Sequence, residues 1–172
     1  MKKISKISGS FLTIAALSCI FWLGSYLLRL IIAYQLFDET ITNRRNYIND
    51  LNINGILIAL NPAVITTFAL FVSFLLFYFL FLVTSKINLR KNGWLFIITI
   101  LIFITAPFEI YLMTIDYRIF SRVASGVFQS SEVVSLIIKR FKSLSSFPVI
   151  ELLSYCAVIF LALFKPMTKE DI

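Results

Sequence analysis

The chain has 172 residues, 59% of them hydrophobic, and a mean hydropathy of +0.91. Soluble domains contain roughly 45 to 50% apolar residues, so a soluble core could not bury this much apolar surface. The absence of histidine excludes a histidine-ligated haem, a conventional catalytic zinc and the Ser-His-Asp or Cys-His catalytic units. The formal charge of +7 comes from cations scattered over segment ends and loops, which favours anionic lipid over nucleic acid as their partner.

Four apolar stretches approach or exceed the roughly 20 residues that cross a bilayer. They predict an all-α integral membrane protein, a four-transmembrane-helix bundle forming a single membrane domain over residues 1–172. A separate extramembrane domain is not expected, because no polar stretch is long enough to bury a core of its own. The predicted spans are residues 11–37, 62–83, 94–115 and 147–164.

The first apolar segment follows Lys2, Lys3 and Lys6, an arrangement that resembles a secretory signal peptide. The apolar core of such a peptide is about 7 to 15 residues long, and this segment is much longer. We therefore expect it to be retained as a membrane anchor. Cys19 and Cys156 lack the spacing of a metal knuckle or a redox pair and are interpreted as core residues, so neither a metal site nor a cofactor is expected.

The start of the second span is marked by Asn61 and Pro62. Asn is a favourable N-cap and Pro favours the first helical position, which predicts that the helix begins here. The preceding stretch, Ile53 to Leu60, would then lie in the membrane interface. The alternative is a longer helix that contains this stretch and is kinked at Pro62.

The connection between the second and third spans contains Lys86, Arg90 and Lys91 and is followed by Trp94, a typical interfacial anchor. It is predicted to be a cytoplasmic turn. With the N-terminal lysines on the same side, both termini are cytoplasmic. This orientation depends mainly on the usual dominance of the first helix.

The connection from Asp116 to Ser146 contains a predicted amphipathic surface helix that begins near Ser131. The cations Lys139, Arg140 and Lys142 fall at its far end, where they suit the negative end of the helix dipole. Such a helix lies along the membrane surface or packs over the mouth of the bundle. Its apolar residues recur at helical spacing on one side: Val133, Val134, Ile137, Phe141 and Leu144.

Arg29, Glu109 and Glu151 are ionisable residues inside otherwise apolar spans. Counting from the middle of each stretch places all three roughly 7 to 8 Å from the bilayer centre on the same side. A charge in hydrocarbon costs at least about 2.5 kcal/mol, so such residues usually face the protein interior and pair. Pro107 precedes Glu109 by two residues, and a kink there would free backbone carbonyls beside it. The same polar layer is predicted to contain Tyr26, Thr66 and Thr67.

This intramembrane polar cluster has three interpretations: an internal ion-pair staple, a ligand or ion pocket, and a charged socket for another membrane subunit. An enzyme is disfavoured, because a neighbouring arginine favours ionised carboxylates whereas a general acid must hold a proton. The sequence favours a non-catalytic membrane subunit or scaffold of a larger membrane complex, in contact with lipid and with other subunits or copies of itself. The alternative is a small oligomeric ion or proton channel or transporter that uses Glu109 and Glu151.

Overall fold

The described part of the chain folds entirely into α-helices and the turns that join them. The computed structural model describes residues 5–38, 41, 43–49 and 51–167, so the predicted roles of Lys2 and Lys3 lie outside the described residues. The five helices are α1 (Lys6–Tyr34), α2 (Ile53–Ser85), α3 (Gly93–Ala124), α4 (Ser130–Ser143) and α5 (Phe147–Phe164). Helices α1, α2, α3 and α5 are long and apolar enough to cross a membrane, which confirms the prediction of an all-helical chain with four such helices.

The first and last long helices lie close to the predicted segments. Helix α5 has the predicted bounds, and a proline lies in its first turn. Helix α1 begins before Phe11 because the side chain of Ser5 accepts a hydrogen bond from the amide of Ser8, at 3.2 Å, and caps the helix there. It ends before residue 37, where the chain turns and the Arg45 Nε donates to the carbonyl of Phe37 at 2.6 Å.

Helix α2 corrects the prediction that a helix begins at Asn61 and Pro62. It begins at Ile53, so Ile53 to Leu60 is helical rather than a separate interfacial segment, and Pro62 lies inside the helix. The physical reason is packing along one face, which continues on both sides of the proline and outweighs the local start signal. The buried residues of that face are Ile53, Leu57, Leu60, Val64 and Thr67.

Helix α3 is longer than predicted. Residues 116–124, assigned by the sequence pattern to a loop, continue the helix to Ala124. Ile115, Ile119 and Val123 extend its buried face past the apolar run, and Asp116 is buried among them. Pro107 lies inside the same helix, as Pro62 does in α2.

Helix α4 is the predicted amphipathic helix. It begins at Ser130, one residue before the predicted start, and Glu132 lies in its first turn. Its apolar residues, Val133, Val134, Ile137 and Phe141, are buried. The helix packs mainly against α3, with a smaller contact with α2.

An aromatic core joins the long helices near their middle. Helix α1 packs mainly against α2, and α5 packs mainly against α3. Trp22 of α1 is fully buried, and its ring centroid lies 5.0 Å from that of Phe71 in α2 and 4.7 Å from that of Tyr155 in α5. Large aromatic side chains in such contacts contribute packing beyond their buried area, so this core holds the two helix pairs together.

The position of Pro62 predicts a gain in stability on its replacement. An interior proline removes the hydrogen bond to the carbonyl of Ile58 and crowds that turn, at a cost of about 3 kcal/mol. Pro62→Ala is expected to raise the thermal unfolding midpoint in detergent, followed by circular dichroism. Pro148→Ala is the matched control in the first turn of α5 and should leave the midpoint unchanged. A lower midpoint for Pro62→Ala would contradict the continuous α2 helix.

Candidate functional site

A buried ion pair links α1 to α3. The Arg29 Nη1 donates to the Asp116 Oδ2 at 2.6 Å, and both side chains are at most 5% exposed. Asp116 follows Glu109 by seven residues, about two helical turns, so the two carboxylates lie on the same face of α3. Helix α3 therefore presents a short column of negative charge to its neighbours.

Arg140 of α4 contacts both carboxylates of this column. Its Nε donates to the Asp116 Oδ1 at 2.7 Å, and its Nη2 lies 3.5 Å from the Glu109 Oε1. Asp116 thus accepts one hydrogen bond from each arginine, with a different oxygen for each. Burial opposes the charge on Arg140, but Asp116 and Glu109 outweigh it and raise the pKa of the guanidinium.

Glu151 is the buried charged residue that α5 places beside Glu109. Its side chain is fully buried and lies within electrostatic range of Glu109, Tyr26 and Arg140. Glu109 and Glu151 interact with each other, and Glu151 also interacts with Tyr26. We refer to Arg29, Glu109, Asp116, Arg140 and Glu151, together with Tyr26, as the charge layer.

Tyr26 provides a shared aromatic surface for both arginines. The Arg29 guanidinium carbon lies 5.6 Å from the ring centroid and that of Arg140 lies 5.9 Å from it. Desolvated cation–π contacts of this kind contribute about 2 kcal/mol. The tyrosine therefore stabilises two neighbouring cations that would otherwise repel each other.

The charge layer contains two arginines and three carboxyl groups. If all three carboxyl groups are ionised, it holds one more negative charge than positive charges. An uncompensated buried charge is costly, so the layer is balanced when one proton is held by its carboxyl groups. Both oxygens of Asp116 accept short hydrogen bonds from arginines, whereas Glu109 has only the longer contact with Arg140 at 3.5 Å, and Glu151 forms no ion pair with the described residues.

The structure brings together Arg29, Glu109, Glu151 and Tyr26 of the predicted polar cluster. Thr67 is buried, but its hydroxyl donates to the carbonyl of Ala63 in its own helix at 2.7 Å. Thr66 is exposed. The pairing also differs from the expectation, because the hydrogen bond of Arg29 goes to Asp116 rather than to either glutamate.

Two members of the charge layer were missed by the sequence reasoning. Asp116 was assigned to a loop because it follows the apolar run, and Arg140 was grouped with the helix-end cations Lys139 and Lys142. Those two lysines are exposed, whereas Arg140 is 7% exposed. Both missed residues carried a periodicity signal: Asp116 is two turns from Glu109, and Arg140 follows the buried Ile137 by three residues on the apolar face of α4.

Comparison of the chain with protein-family models, with curated proteins and with solved structures finds no match. The described residues contain no group of three or more histidine, cysteine, aspartate or glutamate side chains arranged to hold a metal ion. The chemistry of the charge layer itself is therefore the basis for any proposal about this site.

The central position of Asp116 predicts a large loss of stability on its neutralisation. Asp116→Asn leaves two buried guanidinium groups without their shared carboxylate, at an expected cost of about 3 to 5 kcal/mol. The control, Glu132→Gln, makes the same chemical change in the ion pair between the Arg122 Nη2 and the Glu132 Oε1, at 3.0 Å, where both side chains are more than 40% exposed. It should cost at most about 1 kcal/mol. Unfolding in a denaturant series compares the two, and equal effects would refute the central role of Asp116.

Proposed function

We propose that this protein is a multi-pass integral membrane protein in which α1, α2, α3 and α5 form a four-span bundle with both termini in the cytoplasm. The four helices have mean hydropathies of 1.9 to 2.4 over their most apolar windows. Many of their large apolar side chains are exposed, as expected for helices surrounded by lipid. Lys86, Arg90 and Lys91 lie in the turn between α2 and α3, which supports a cytoplasmic position for that turn.

Within the membrane, the proposed role is that of a non-catalytic subunit or scaffold of a larger complex. The observation that carries the non-catalytic, structural part of this proposal is the internal pairing of the charge layer. Arg29 and Arg140 both bond to Asp116, and Arg140 also contacts Glu109, so the layer's cations are engaged within the chain. This favours a structural tie between helices over a charged socket for another subunit.

The remaining surfaces of the four helices are suited to contacts with apolar partners. Large exposed aromatic side chains occur on each of them, and van der Waals packing is one of the forces that drive helix association in a bilayer. We infer that the charge layer fixes the arrangement of the helices and that the apolar faces meet other membrane helices. Exposed examples are Phe21, Phe79, Phe103 and Phe160.

The composition of the native particle tests this proposal. The tagged protein is extracted from its own membrane in mild detergent, and the particle is weighed by native mass spectrometry with peptide identification. We expect retention in the membrane after a carbonate wash and different membrane proteins in a fixed ratio to this chain. Arg29→Ala should lose those partners or the bundle itself, whereas Arg122→Ala, from the exposed pair, should keep them. A monomer or a homo-oligomer alone would contradict the subunit role.

A second candidate function, an ion or proton pathway, is favoured by Glu109 and Glu151. Both carboxylates are fully buried, and each interacts with the other. Buried carboxylates in this situation are typical of proton relays in membrane proteins. An oligomer could place them around a shared axis.

Flux through proteoliposomes tests the pathway. In purified protein of this chain alone, Glu109→Gln and Glu151→Gln are each expected to abolish proton or cation flux while the protein remains folded. Glu132→Gln, on the exposed face of α4, should leave flux unchanged because it lies outside the charge layer. Unaltered flux in Glu109→Gln would remove that residue from the pathway, and absence of flux in the parent protein would reject this candidate.

A further inference from the structure

Helix α5 is held in the bundle by few side chains. Among its 18 residues, only Phe147, Glu151 and Tyr155 are buried. They are spaced by four residues, so they form one stripe along the first half of the helix, residues 147–155. All other residues of α5 are half-buried or exposed. The position of the first half of α5 therefore depends on what this stripe contacts.

Two members of the stripe make aromatic contacts. The ring centroid of Phe147 lies 5.3 Å from that of Phe108 in α3. The ring of Tyr155 lies 4.7 Å from that of Trp22 in α1 and 5.8 Å from that of Phe74 in α2. These contacts lie on either side of the third member of the stripe along the helix, and they set its depth in the bundle.

Glu151 is the middle member of the stripe and meets the charge layer. Its carboxyl group interacts with Glu109 of α3. It also interacts with Tyr26 and Arg29 of α1 and with Arg140 of α4. Helix α5 itself contains no lysine or arginine. The fit of α5 against the layer therefore depends on the charges that α1, α3 and α4 present to this one carboxyl group.

The remaining titratable groups near this position are phenols and a thiol. Tyr155 interacts with Glu151 and with Cys19 of α1. Helix α2 contains one titratable side chain, Tyr78, and its hydroxyl is hydrogen-bonded to that of Thr99 at 2.8 Å. Phenols and thiols are ordinarily neutral at neutral pH, so these groups do not compensate the charge of a carboxylate.

The charges of the layer are balanced only while one proton is present. Arg29 and Arg140 face three carboxyl groups, and Asp116 accepts a hydrogen bond from each arginine. When either Glu109 or Glu151 holds the proton, it can donate a hydrogen bond to the other, and the two groups attract each other. Without that proton, two buried like charges meet at the contact between α3 and α5 and repel each other.

The far end of α5 is attached separately. The amide of Gly93 at the start of α3 donates to the carbonyl of Met167 at 3.2 Å, and the Lys165 Nζ lies 5.7 Å from the centroid of the Trp94 ring. Between this attachment and the stripe, α5 lines a cleft of about 1110 Å³. Helix α5 is thus held at two separate places, and the pair of glutamates belongs to only one of them.

We propose that the proton shared by Glu109 and Glu151 is a latch that keeps the first half of α5 in the bundle, and that its loss releases this half and uncovers the charge layer. Aromatic packing alone then opposes the repulsion between two carboxylates. Because the shared proton stabilises the docked helix, docking is favoured at low pH and is lost as the pH rises. The inference depends on the charge balance of the layer and not on partner subunits or ion flux, so it is tested separately from the proposed function.

The two tryptophans of the chain report the two attachments of α5 separately. Trp94→Phe leaves only Trp22, which contacts the stripe, and Trp22→Phe leaves only Trp94, at the far end. Each full-length protein is purified in mild detergent, and quenching of its fluorescence by acrylamide is measured as the pH is raised. We expect quenching of Trp22 to rise, with the ratio of released to docked helix increasing about tenfold for each pH unit because one proton is lost. Quenching of Trp94 should stay constant, and a Trp22 signal that does not change with pH would overturn the inference.

Substitution of each glutamate distinguishes a shared proton from the titration of one residue. Glu109→Gln and Glu151→Gln each leave two carboxylates for two arginines, so each is expected to keep α5 docked and to abolish the transition at Trp22. Glu132→Gln, the same chemical change in the exposed ion pair of α4, should keep the parental transition. A transition that persists in either of the first two variants contradicts the latch. The comparison of the two tryptophans leaves the layer unchanged, so it decides the question if a glutamine variant fails to fold.

Cross-linking tests whether the transition is a movement of the first half of α5. With both native cysteines changed to alanine, Phe108→Cys and Phe147→Cys are joined by a bifunctional thiol reagent, which ties this half to α3. The control joins Gly93→Cys and Met167→Cys, whose Cβ positions lie close together at the far end. We expect the first cross-link to abolish the transition at Trp22 and the second to leave it intact. Equal transitions in the two cross-linked proteins would show that α5 does not move, and the inference would fail.

Discussion

The structure depends on one carboxylate, Asp116, shared between two buried arginines. Each guanidinium uses a different oxygen, so the bonds at 2.6 and 2.7 Å do not compete. Charges in the interior of a protein are stable only when they are paired and hydrogen-bonded, and this requirement fixes α1 and α4 against α3 at one level. Glu109, two turns from Asp116 on α3, lies near Glu151 of α5. Helix α2 does not contribute a charge and is held by aromatic packing around Phe71.

The two ends of the molecule are consequently different. At one end α4 covers the helices and adds Arg140, and the layer is closed and charged. At the other end the described residues include the short turn between α2 and α3, and small side chains of α1 and α5 line a cleft of about 1110 Å³ between the helices. Paired buried charges constrain the helices at the first end, whereas small side chains leave space between the helices at the second.

Apolar run length predicted the four long helices and the bounds of α5. The same reasoning failed at the end of α3, because the limit of an apolar run is not the limit of a helix, and the capping signal at Asn61 and Pro62 failed at the start of α2. Packing of Ile53 and Leu57 carries α2 past the start signal at Asn61, and packing of Ile119 and Val123 carries α3 past Asp116. The charge layer was found only in part for the same reason. Arg29, Glu109 and Glu151 are visible as charges within apolar runs, whereas Asp116 and Arg140 lie outside those runs and reach the layer only in the folded chain.

The charge balance of the layer connects its structural role with its chemistry. Asp116 is fully engaged by the arginines, and one of them, Arg140, also reaches Glu109. Glu151 is the carboxyl group for which no arginine remains. A purely structural ion-pair network needs equal numbers of opposite charges. The third carboxyl group gives the layer one more carboxyl group than it has arginines. Such a group stays buried at lower cost when it holds a proton, and a buried carboxyl group that exchanges its proton is the element that a conduction role requires. The same surplus therefore separates the two proposed functions: a purely structural layer would keep its stability with glutamine in place of Glu151, and a conducting layer would lose its activity.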